Sequence, residues 1–136
     1  MRKQFSNKEI LDYATALSKE ILENAKDVEL PTKVNFYLQK NIKTFLTAAQ
    51  DIEEAQLKIG KKYGEYNSEK EAYIITDSEK LSIAQKEMED LLSVDQVLEV
   101  YFITLADLQD TKLTIAQMNA MLFMIDEQIE EEKVLW

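Results

Sequence analysis

"LPTKVNFYLQKNIKTFLTAAQDIEEAQLKIGKKY", residues 30–63, decides the fold. Leu38, Ile42, Phe45, Ala49, Ile52, Gln56, Ile59 and Tyr63 recur at alternating spacings of four and three, with Gln56 the single polar member. That period places them on one stripe of a helix. About 30 residues at ~1.5 Å each make a rod of ~45 Å. Pro31, the only proline, suits the first turn of this helix, where its missing N–H costs nothing. A sharp break at 29–32 follows.

Upstream, Ser6 and Glu9 form a capping box that predicts a first helix. Ile10, Tyr13, Ala14, Leu17, Ile21, Ala25 and Val28 lie on one stripe of it. A short connection favours an antiparallel neighbour, so residues 6–63 are expected to form a helical hairpin. Downstream, Gly60 and Gly64 stand where the apolar period stops. Gly64 is read as the left-handed residue after the helix end, with Lys61 and Lys62 complementing the dipole, and a polar loop is expected over 64–72. "YIIT", 73–76, is a short β-branched run, and Thr76 or Asp77 can cap a helix carrying Leu81, Ala84, Met88 and Leu91.

"VLEVYFIT", 97–104, has strand propensity. Val94, Val97, Leu98, Tyr101, Leu105 and Leu108 would also make a helical stripe, which periodicity does not separate from a strand. The strand is favoured, paired with 73–76 in a two-stranded ribbon that must pack on helices to be stable. Thr114 and Gln117 make a second capping box, so a last helix is expected to start at Ile115. The layout is a single mostly helical α+β domain over 1–136: helical hairpin, loop and short strand over 64–76, then helix, strand and C-terminal helix with an acidic end over 77–136.

Composition limits the chemistry. The 136 residues hold no cysteine and no histidine, which excludes disulfides, thiol nucleophiles, Ser-His triads and the usual zinc and di-iron sites. No glycine-rich phosphate loop is present. A non-catalytic role without cofactor is therefore expected. Asp51 with Glu54, and Glu87 with Asp90, are carboxylates spaced i, i+3 on predicted helices. Facing each other, with Lys58 or Lys61 nearby, they could hold Mg²⁺ against a nucleotide as all-α nucleotide pyrophosphatases do. With 26 acids in the chain, such pairs also arise as ordinary solvated faces.

The net charge of −10 is uneven. Residues 1–86 hold 14 Lys/Arg and 14 Asp/Glu, whereas 87–136 hold 12 acids against Lys112 and Lys133. That balance argues against direct binding of a nucleic-acid backbone and for a basic partner. No apolar run approaches a membrane span and no h-region follows Met1, so a cytoplasmic protein is expected.

In the C-terminal helix, Ile115, Met118, Met121, Leu122, Ile125 and Ile129 form a core stripe, while Phe123 and Met124, with Ala116 and Ala120, form a second strip running into Glu127, Glu130 and Glu131. A helix apolar on two sides is covered twice or binds something. Met121, Phe123, Met124, Glu127, Glu130, Glu131 and Trp136 are the expected contact surface, for another protein or a second copy. "DEQIEEEK", 126–133, could also imitate nucleic-acid phosphates in a basic cleft.

"LPTKVNFYLQKNIKTF", "KIGKKYGE" and "LTIAQMNAMLFMIDE" share a layout over about residues 28–128 that resembles a group of small phage and prophage proteins of Gram-positive bacteria. The resemblance implies a phage gene product, and with it an assembly factor, a minor virion component, or an inhibitor of a host nucleic-acid-binding or defence protein.

Overall fold

A computed structural model describes residues 1–126. Its elements, in order, are β1 (Arg2–Ser6), α1 (Asn7–Ala16), a π-helical segment (Leu17–Glu23), α2 (Thr32–Tyr63), β2 (Glu65–Asn67), β3 (Ala72–Ile74), α3 (Ser78–Leu92), β4 (Asp95–Glu99), a 3₁₀ turn (Leu105–Leu108), α4 (Ile115–Met121) and a second 3₁₀ turn (Leu122–Met124). This is the α+β architecture read from the sequence, with four α-helices.

The long stripe of α2 is buried as expected through Leu38, Ile42, Phe45, Ala49 and Ile52. Pro31 stands at the N-cap, directly before the first helical residue. The Ser6–Glu9 box forms in full: Ser6 Oγ accepts from Glu9 N at 3.1 Å, and Glu9 Oε1 accepts from Ser6 N at 2.9 Å. α1 does not run on to Val28. It widens after Ala16 into seven residues of π-helix, with Leu17 and Ile21 still facing the core.

The strand pairing departs from the sequence reading. β3 pairs antiparallel with β2, whose residues fall in the expected loop, and β4 pairs antiparallel with β1. Local chemistry explains the first pair. Asn67 Oδ1 accepts from the amides of Glu69 and Lys70 at 3.0 and 3.1 Å, closing a tight turn. The second pair rests on one buried ring, Phe5, opposite Gln96. Asn7 fastens the corner: its amide nitrogen donates to Val94 O at 2.8 Å, Nδ2 donates to Leu91 O at 2.9 Å, and Oδ1 accepts from Gln96 Nε2 at 2.7 Å. The run 97–104 is strand only to Glu99; past Val100, Ile103 forms a parallel bridge to Ile125.

Gly64 is not left-handed. Its φ is −120°, an extended backbone. A Cβ there would lie 2.9 Å from both Gly60 O and Ile74 O, so close approach of β3 to the end of α2 demands glycine.

One buried core joins β1, α1, the π-helical segment, α2, α4 and the turn that follows it. Phe5, Tyr13, Phe45 and Phe123 meet edge-on or tilted, with Phe45 and Phe123 centroids 4.6 Å apart and Tyr13 and Phe123 5.1 Å apart. Burial, reinforced by the Glu9 charge, pushes the Tyr13 phenol up from its ordinary range, so it stays protonated.

Candidate interaction surface

α4 begins where the capping box places it. Thr114 Oγ1 accepts from Gln117 N at 3.1 Å, and Gln117 Oε1 accepts from Thr114 N at 2.9 Å. Gln117 does more than cap. It is buried, and its Nε2 donates to Asn24 O at 3.2 Å, tying α4 to the end of the π-helical segment. With Gln117 held inward, the 100° step per residue sends Ala120 and Met121 inward too. Ile115 and Leu122, seven residues apart and thus nearly superposed on the helix face, must then point out. They are 83% and 52% exposed, with Met118 half-buried beside them.

The helix was expected to continue, but it stops at Met121. A 3₁₀ turn over Leu122–Met124 tightens the rotation, so the consecutive side chains of Phe123 and Met124 both enter the core. Three contacts hold that turn. Lys3 Nζ donates to Phe123 O at 3.4 Å, Asn41 Nδ2 reaches Met124 Sδ at 3.5 Å, and Ile103 N donates to Met124 O at 2.8 Å. Asp126 N then donates to Ile103 O at 2.9 Å.

This overturns part of the expected contact surface. Met121, Phe123 and Met124 are buried in the same molecule, filling the space between Tyr13, Phe45 and Asn41 rather than facing a partner. Glu127, Glu130, Glu131 and Trp136 lie outside the described residues. The helix does have two apolar sides, but not the two read from the sequence: Ile115 and Leu122, assigned to the core stripe, form the outer strip, whereas Met121 of that stripe is buried together with Ala120. The rotation follows from Gln117, a capping-box residue that is buried rather than exposed.

The carboxylate pairs do not assemble. Glu87 Oε1 accepts from Tyr63 Oη at 2.8 Å and from Lys62 Nζ at 3.2 Å. These bonds, Tyr63 first and Lys62 next, hold the Glu87 carboxyl below its ordinary range, while hydrogen bonding with Tyr63 first and with Glu87 next raises Lys62 above its own. Lys62 is eight residues beyond Glu54, about 12 Å along α2 at ~1.5 Å per residue, so Asp51 and Glu54 stand at a different level from Glu87. Among the described residues no group of three side chains with metal-ligating chemistry converges.

A groove of about 590 Å³ runs between the α1–π segment and α2, floored by Leu11, Ala14, Leu46 and Ala49. Lys19, Glu23 and Glu53 line it as well, one cation against two acids. Among the described residues no helix is long and apolar enough to cross a membrane.

No known protein-family model, curated protein or solved structure matches the chain.

Proposed function

We propose that the chain is a non-catalytic protein-binding module, an adaptor or assembly protein of the phage type that its sequence layout resembles, and that it contacts its partner through the outer strip of α4. The observation that carries this reading is Ile115 at 83% exposure with Leu122 on the same face, on a helix whose opposite face is fully engaged in the core. Exposed apolar side chains grouped on one face mark contact sites more often than singly scattered ones do. The partner is another protein with a basic rim. Of the twelve acids in 87–136, eight fall between Glu87 and Asp126, where Lys112 is the only cation. The acid excess of this half disfavours a second copy as the partner.

The test is capture of a partner from host or infected-cell lysate by the full chain, repeated with Ile115→Lys/Leu122→Lys and with Val97→Lys, an exposed control on β4. A protein retained by the wild type and by Val97→Lys but lost from the α4 variant supports the reading. Capture by the α4 variant, or no capture by the wild type, refutes it.

The same acid excess supports a second reading, an inhibitor occupying the basic cleft of a nucleic-acid-binding protein. Its binding would weaken steeply with added salt, because exposed charges are screened over ~8 Å at physiological ionic strength. Binding through the apolar strip, with charge only at its rim, would weaken far less.

A further inference from the structure

The longest acid-free run of the chain lies on α2. Between Glu29 and Asp51 there is no carboxylate, but there are Lys33, Lys40 and Lys43. Because Val34, Leu38, Asn41, Ile42 and Phe45 are buried, the helical period gathers the three lysines with Phe36 and Tyr37 on the outer side. Phe36 is 55% exposed. Its centroid lies 6.4 Å from that of Tyr37, which lies 5.2 Å from that of Tyr101, itself 38% exposed. Lys33 Nζ stands 5.6 Å from the Tyr37 ring centre and Lys40 Nζ 5.4 Å from that of Phe36. The result is a run of three rings interleaved with cations.

Helix stability does not account for this arrangement. Lys33 sits in the first turn, where a cation opposes the macrodipole, and the turn contains no acid. Packing does not account for it either, since most of Phe36 touches solvent.

We infer that this face binds single-stranded nucleic acid, an interaction beyond the protein contact assigned to α4. Such a strand offers phosphates to the lysines and unstacked base faces to the rings at the same time. A duplex hides its base faces in the stack, and an acidic peptide supplies charge without successive flat rings. The overall charge of −10 opposes any polyanion at long range, but at physiological ionic strength charges beyond ~8 Å are largely screened. The acid paired locally is Asp107, 3.6 Å from Lys33, which leaves the larger share of phosphate contact to Lys40 and Lys43.

The experiment is fluorescence anisotropy of a labelled oligo-dT of about fifteen nucleotides with the full chain at about 50 mM salt. Wild type is expected to bind, with a log–log salt slope of about −2, from three lysines at ~0.7 each. Phe36→Ala is expected to weaken binding at least about fivefold, the lower end of a lost base–ring stack. Lys40→Glu/Lys43→Glu is expected to weaken it more than about tenfold. All of these positions are exposed, and matching circular dichroism and thermal unfolding would show that the variants fold. Absence of binding, equal affinity for a duplex of the same length, or insensitivity to both variants overturns the inference. So does displacement by polyglutamate as effective as that by unlabelled oligo-dT, which would assign the face to an acidic protein segment.

Discussion

Asn41 is the residue whose replacement should be most informative. It is wholly buried on α2 and acts as a short piece of strand: Oδ1 accepts from Tyr101 N at 2.9 Å and Nδ2 donates to Tyr101 O at 2.9 Å. Asn41→Leu keeps the approximate shape and deletes both bonds, leaving two backbone groups without partners beside the buried Val100. Each stranded group costs about 1–3 kcal/mol, partly offset by the added apolar contact, so the net loss should be about 2–4 kcal/mol. With a urea m-value of about 2 kcal/mol/M, the unfolding midpoint falls by about 1–2 M. Asn41→Asp separates the two bonds, because a carboxylate still accepts from Tyr101 N–H but confronts Tyr101 O. Burial and that carbonyl raise its folded pKa above the ordinary ~3.9, so the folded state binds the proton more tightly. Stability of this variant is then highest below the unfolded pKa and falls as pH rises toward the folded one. Urea titrations at several pH values read both effects. A loss under about 1 kcal/mol for Asn41→Leu, or an Asn41→Asp variant whose deficit relative to wild type ignores pH, would refute the clamp.

Phe123→Ala should cost about 3–5 kcal/mol in chemical denaturation, as loss of a ring packed against Phe45 and Tyr13 requires; a near-neutral result would return Phe123 to the surface. Gly64→Ala should destabilise by about 1–3 kcal/mol, because its Cβ meets backbone oxygens at 2.9 Å. Gly60→Ala, whose nearest neighbour is Tyr73 Cβ at 3.3 Å, should be close to neutral, since helix propensity offsets the contact; thermal melts of the pair decide it. Glu87 has a folded pKa below its unfolded value, so its contribution is present above the ordinary carboxyl pKa and lost as pH falls through the folded one. Glu87→Gln should therefore flatten the acid side of the stability–pH curve, measured as urea midpoint against pH, and an unchanged acid limb would remove the pair from the account.

Helices were legible because their signals are local. Two capping boxes and the period of 38–63 carried them, and both boxes form as written. Strand partners were not legible. β1 has a single apolar residue facing the core, Phe5, too little alternation to mark a strand, and its partner is some ninety residues away. The rotation of α4 depends on Gln117 reaching Asn24, a contact between distant segments that helical periodicity does not encode. Asn41 was hidden because the apolar spacing passes from Leu38 to Ile42 without it, and nothing local marks it as buried until Tyr101 is seen beside it. Nor could periodicity anticipate the turn after Met121, because the expected stripe assumed that one helix continued.

The β1–β4 pair also bears on how the chain folds. On a ribosome β1 is made some ninety residues before its mate β4, so Phe5 must wait without its sheet while α1, α2 and α3 appear. Closure of so long a loop is entropically expensive and belongs late in assembly. The amino-terminal ribbon thus acts as a latch, fastening helices already gathered rather than nucleating them.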